Sequence, residues 1–267
     1  LALARESGDL RLEAGLQYRV AQSYHLLGEN ETAIGLLQRS IQTTVEERER
    51  APLELSVIPA VSNRMWLVSI LAERGEFREG MKHAKRALEI AEQAQHPLSA
   101  VLGWLAIGHL LRRKGELDGA IGALERGLAL SERYSLPMWH FRLVSSLGIA
   151  YAHCGRLTEG LELTGQALES AERFGVIVDR PMMRLHAGEA ALLAGNLQRA
   201  IEHGWEAVRA AVRHGNKRAE PWARFLVGRA KWAAGRDSAR EVFDELQLAL
   251  RLATESKAEP LVGDAEV

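Results

Sequence analysis

The chain has 267 residues, with 34 Lys and Arg against 35 Asp and Glu, one cysteine, 47% apolar residues and only 6% aromatics. Near-zero net charge gives no overall attraction to nucleic acid or an anionic membrane, and a lone Cys154 excludes an intrachain disulfide or a cysteine-built zinc site. No apolar run approaches the ~18 residues of a membrane span and no signal peptide is visible, so a cytoplasmic setting is expected, without membrane or direct nucleic-acid partners.

Leu1–Ser7 reads as the end of a preceding helix, and 1–8 is assigned to it. From there the chain is punctuated by six glycines in similar phrases: Gly28, Gly75, Gly115, Gly155, Gly195 and Gly235. The first gap is 47 residues and the other four are each 40. Glycine accepts the left-handed conformation that ends a helix, and the polar residue after it is placed to cap the next. Self-similarity at this period signals a solenoid of helix pairs, each burying its apolar face on its neighbours. The predicted pairs are 10–27 with 30–45, 57–74 with 77–94, 98–114 with 117–134, 138–154 with 157–174, 180–194 with 197–214, and 218–234 with 239–256. Around Gly115 the apolar residues Val101, Trp104, Leu105, Ile107 and Leu111 make one stripe of helical period, and Leu117, Ala120, Ile121, Leu124 and Leu128 a second. Pro97 and Pro137 open first helices, where a missing N–H costs nothing, and Asp179 before Pro181 is expected to cap another. The extra seven residues between Gln42 and Val61, with a charged run at Glu46–Arg50, are expected as an ornament loop. Arg236–Ala239 reads as a looser turn, and 259–267, from Glu259–Pro260–Leu261, as the truncated start of a further helix. The whole of 1–267 is thus expected to be a single all-α solenoid fragment of about six pairs.

Residues at fixed offsets from the turn glycines resemble the tetratricopeptide (TPR) family. Trp104, Gly108, Gly115 and Ala120 fall on its pattern, as do Leu147–Gly148, Tyr151 and Ala167, then Gly188, Ala200 and Ala207. Gly108, Gly148, Gly188 and Gly228 stand where two helices of a pair should cross closely. The period of 40 rather than the family's usual 34 resembles the C-terminal repeat regions of bacterial multidomain proteins. In one such group the repeats follow an adenylate or guanylate cyclase and an ATPase; in another an ATPase is joined to a LuxR-type DNA-binding domain. PLELSVIPAVSNRMWLV and SLPMWHFRLVSSLGIAYAHCGR look most like the cyclase-linked group. The resemblance implies a right-handed superhelix serving as a sensor, regulatory or scaffolding region, with any cyclase or ATPase active site outside this segment.

The residues themselves offer little chemistry. There is no GxxxxGK[ST] phosphate loop, and no two histidines share the HExxH spacing. His109, His153 and His186 come from successive first helices, but scattered histidines are the simpler reading. The carboxylates Glu125, Glu162, Glu169 and Glu172 lie among arginines on second helices, as a solvated face would. No catalytic, cofactor or metal residue is therefore expected. Cys154 is expected to be buried as a small hydrophobe.

In the TPR fold the first helices line an inner groove, and the positions ten, six and three residues before each turn glycine are expected to face it. These give Tyr18, Gln22 and His25; Met65, Ser69 and Ala72; Leu105, His109 and Arg112; Ser145, Ile149 and Ala152; Leu185, Glu189 and Leu192; and Phe225, Arg229 and Trp232. Met65, Leu105, Ile149 and Leu185 would make an exposed apolar patch suited to an amphipathic helix or extended peptide. Trp104 is expected in the core, Trp66 and Trp205 between repeats, and Trp139, Trp222 and Trp232 at contacts. The expected function is a non-catalytic protein- or peptide-binding scaffold, the regulatory or sensory region of a larger bacterial signalling protein, with a protein, a peptide or another domain of the same polypeptide as partner. A spacer or self-associating module, giving a homo-oligomer, and a small-molecule-sensing solenoid of a transcription regulator are the alternatives.

Overall fold

A computed structural model of the chain describes residues 10–43, 57–235 and 238–256, together with Leu3, Glu6 and Gly8. The expected helix end at 1–8, the ornament loop and the start at 259–267 lie wholly or mostly outside these residues. Twelve helices and no strand occur among them. They are α1 (Leu10–Leu26), α2 (Asn30–Thr43), α3 (Pro59–Glu73), α4 (Phe77–Gln93), α5 (Pro97–Lys114), α6 (Leu117–Arg133), α7 (Pro137–His153), α8 (Leu157–Arg173), α9 (Arg180–Leu193), α10 (Leu197–Arg213), α11 (Glu220–Ala234) and α12 (Ala239–Glu255). The chain divides into two compact units, one of Leu1–His25 with Glu29–His140 and one of Leu26–Gly28 with Phe141–Val267.

The six repeat glycines all adopt positive φ, and Gly115 at +85° shows why. There Glu116 donates its N–H to the Leu111 carbonyl at 2.9 Å and Gly115 donates to Arg112 at 3.1 Å. This nested pair satisfies two of the carbonyls that a helix end leaves open, and it requires a left-handed residue at the glycine. The polar residue after the glycine contributes its backbone and not its side chain: Glu76, Glu116, Arg156 and Asn196 make no side-chain cap. The expected capping carboxylate of Asp179 is likewise absent, because that carboxylate takes the Arg142 guanidinium instead. Capping side chains occur elsewhere. The His96 ring accepts from the Ser99 N–H at 3.2 Å, and Ser238 with Glu241 forms a capping box at α12.

A second set of turns, from second helices back to first, repeats at the same period. Gln95, Ser135, Gly175 and Gly215 sit 40 residues apart, all at positive φ, two of them without the freedom of glycine. Each closes with the same nested pair, as in Leu136 to Ser131 at 2.8 Å and Ser135 to Glu132 at 3.1 Å.

Within the first unit α3 packs on α2, α4 and α5, and α5 on α4 and α6. Within the second, α9 packs on α8, α10 and α11, and α11 on α10 and α12. A first helix thus touches its own second helix, the preceding second helix and a neighbouring first helix. Small residues set the closest crossings. A Cβ on Gly148 would lie 2.9 Å from the Thr164 amide nitrogen in the partner helix, and one on Gly160 would lie 2.8 Å from the Gly148 carbonyl oxygen. Gly108, Gly188 and Gly228 are also filled against the facing second helix, by Leu124, His203 and Leu246. Cys154, by contrast with the expectation, is exposed, because the last turn of α7 leaves the core there.

Candidate binding surface

From α3 to α9 most residues of each first helix are buried, so the side chains that reach water there, continued by those of the less buried α11, define the candidate surface. The structure corrects the expected exposed patch: Met65 is 2% exposed, Leu105 6%, Ile149 0% and Leu185 5%. Their places are stacking places. Leu185 shares a cluster with Met182, Ala211, Ala219 and Leu226, and Ile149 shares one with Ala152 and Ala190 of the next first helix. His25, expected in the groove, is buried too; it pairs with the Asn30 carboxamide oxygen at 2.8 Å and lies 3.5 Å from Glu73.

The offset six residues before the turn glycine behaves differently. Gln22, Ser69, His109 and Glu189 are half-buried and Arg229 is exposed, Ile149 being the exception. Tyr18, Arg112 and Phe225 are half-buried, and Trp232 is exposed. In the first unit the candidate side chains are therefore Gln22, Ser69, His109 and Arg112. In the second, His153 Nε2 stands 3.2 Å from Glu189 Oε1, joining α7 to α9, and the Arg229 guanidinium lies 5.6 Å from the Phe225 ring on α11. Imidazole, carboxylate, guanidinium and indole thus come from three first helices of one unit. Deeper along the same α7–α9 seam, the Ser145 hydroxyl and His186 Nδ1 are hydrogen-bonded at 2.8 Å. Sequence reasoning missed both seam contacts; His153 and His186 were visible only as scattered histidines.

The expected tryptophan roles divide. Trp66 is buried and Trp205 packs against Ala207, Val208 and Ala223, between repeats as expected. Trp104 is half-buried with the Arg126 guanidinium 5.0 Å over its ring, and Trp139 is half-buried. Trp222 packs against two core clusters, which corrects its assignment as a contact residue.

Two half-buried histidines on second helices titrate below their ordinary range. Burial is the first cause for both; Arg64 adds to it at His83, and Arg184 and Arg199 at His203. Arg184 is itself held by Glu172 at 2.7 Å and by Glu206, which ties α9 to α8 and α10. No group of three or more His, Cys, Asp or Glu able to hold a metal occurs among the described residues, and no described helix is long and apolar enough to cross a membrane.

No family profile matches the sequence, and no curated protein matches it. Solved structures do. A Rap protein complexed with competence and sporulation factor is 17% identical, with a TM-score of 0.70 over 92% of this chain and 66% of Rap. PlcR of Bacillus thuringiensis, solved with the peptide PapR7 and DNA, is 14% identical, with a TM-score of 0.64 over 80% of this chain and 76% of PlcR. A signal transduction ATPase from Pyrococcus horikoshii with a TPR sensor is 15% identical, with a TM-score of 0.54 over 89% of this chain and 35% of the ATPase. The chain therefore spans just under two thirds of Rap and about a third of the ATPase. At these identities the likeness establishes the fold, an all-α array of TPR-like helix pairs.

Proposed function

On this TPR-like fold, we propose that the chain is a peptide- or protein-binding scaffold, the sensory or regulatory region of a larger signalling protein. The observation that carries the reading is the set of water-reaching side chains on largely buried first helices of the second unit, where His153, Glu189, Arg229 and Trp232 project from a rigid support. Side chains mounted this way lose little freedom on association, so an extended peptide would be held by preorganised charge pairs with an aromatic anchor at the end. That PlcR was solved with the peptide PapR7, and Rap with competence and sporulation factor, supports this class of partner for the same fold. The 40-residue period supports a cyclase–ATPase or LuxR-type parent, and so does the TPR sensor of the Pyrococcus ATPase. A cytoplasmic setting fits such a parent.

The test is selection of binders from a displayed library of random dodecapeptides on the full chain, followed by affinity measurement. Reversal of the two charges, Glu189→Lys with Arg229→Glu, is expected to weaken the selected peptides at least about tenfold, roughly 1.4 kcal/mol, with the helix content unchanged. A library that yields no binder, or binders indifferent to both reversals, overturns the proposal.

A further inference from the structure

Within the second unit, the turns at the two ends of the helices show different surfaces to water. The glycine turns at 155 and 195 continue with the polar Arg156 and Asn196 and carry no exposed large apolar side chain. The return turn from α8 to α9 is the reverse. There Val176 packs inward against Phe141, Leu168, Ala171 and Met183, while Phe174, Ile177 and Val178 are 62%, 53% and 44% exposed. The exposed Val212, in the last turn of α10, lies on the same edge, because Met182 in the first turn of α9 packs on its neighbour Ala211. Apolar side chains grouped in this way on a surface mark a docking site.

Charge narrows the partner. Segments 172–180 and 212–220 contain three carboxylates, each engaged by an arginine from outside them: Glu172 by Arg184 at 2.7 Å, Asp179 by Arg142, and Glu220 by Arg224 at 2.9 Å. The same segments hold five bases, of which Arg173, Arg213 and Lys217 are exposed and stand outside the ion pairs of the described residues. The edge is therefore locally basic although the whole chain is near neutral. A second copy meeting it about a twofold axis would set these bases against themselves. The apolar side chains stand on a turn and a helix end, not between two helices, which suits entry into a fluid surface more than the seating of a peptide. We propose that this edge of the second unit docks on an anionic lipid surface. Phe174, Ile177 and Val178 enter the headgroup boundary, and Arg173, Arg213 and Lys217 meet the acidic headgroups.

The test is flotation of the full chain with vesicles of phosphatidylcholine and phosphatidylserine in equal parts, against vesicles of phosphatidylcholine alone. Two variants accompany it: Phe174→Ser/Ile177→Ser, which keeps the charge, and Arg173→Gln/Arg213→Gln, which keeps the apolar tip. Binding to the mixed vesicles is expected to be at least about tenfold tighter than to the neutral ones, and at least about tenfold weaker in each variant with helix content unchanged. No binding of the native chain to the mixed vesicles, or binding that either variant retains, overturns the proposal. So does a chain that ignores the vesicles but binds an amphipathic Glu–Leu peptide, with that binding lost in the serine variant, since a protein segment would then be the occupant.

Discussion

The first and second helices of a pair obey different rules, and α3 and α4 show the contrast most plainly. In α3, fourteen of 15 residues are buried; in α4, five of 17 are, namely Gly80, Ala84, Ala87, Ile90 and Ala91 on one stripe. The cause is topological. A first helix is covered by second helices and by neighbouring first helices, so even Ser62, Asn63 and Arg64 are buried and turn their polar ends to carbonyls one helical turn back. A second helix packs along one stripe and leaves the rest to water, where Lys82 and Glu79 meet at 2.7 Å as an exposed pair worth little. Stability is therefore concentrated on the first helices, and substitutions of one kind should act differently on the two.

The largest difference is expected from truncating apolar side chains. Leu143→Ala on α7 opens a cavity at a fully buried site and should cost about 2–5 kcal/mol in denaturant unfolding, while Val212→Ala on α10, at 56% exposure, should cost under about 0.5 kcal/mol. Equal losses would break the contrast. Adding a methyl should even change sign within one pair. Gly148→Ala on α7 meets the backbone of α8 and should destabilise by about 1–3 kcal/mol, whereas Gly165→Ala on α8 meets nothing within 4 Å and should stabilise by about 0.5–1 kcal/mol, both read as shifts of the thermal midpoint.

The smallest effect sharpens the role of the caps. Burial lowers the His96 pKa from 6.5, so the folded chain binds that proton less readily than the unfolded one. Stability from the neutral ring is complete above the unfolded value and is lost as pH falls through 6.5 toward the folded value. Protonation also removes the Nδ1 lone pair that accepts from Ser99. His96→Ala should accordingly cost about 1 kcal/mol at pH 8 and progressively less as the pH is lowered. A pH-independent cost in chemical denaturation would mean that the ring contributes packing and not a cap.

Much of the fold was legible because a backbone requirement wrote itself into the sequence. The turns after first helices need a left-handed residue, all six use glycine, and the period follows. The return turns have the same need, but Gln95 and Ser135 meet it with side chains that carry no such mark, so the second register was readable only from Gly175 and Gly215. The candidate surface was less legible. Offsets ten and three were assigned to the groove from the fold's general geometry, but on α9 they point at the adjacent first helix, as Leu185 with Leu226 and Leu192 with Ala230 show. Only the offset of six stays mostly polar from pair to pair, a signal present in Gln22, Ser69, His109, Glu189 and Arg229 that exposure then explained.

What the sequence determined by itself is the local part: where helices begin and stop, their pairing, and the small residues that let partners cross. Those depend on φ, on a missing Cβ and on contacts within a few dozen residues. Tertiary structure alone decided which face of a first helix is core and which is water-reaching, that His153 meets Glu189, and that Ser145 meets His186. Each depends on the angle at which one pair stacks on the next, and that angle is set by many side chains fitting at once.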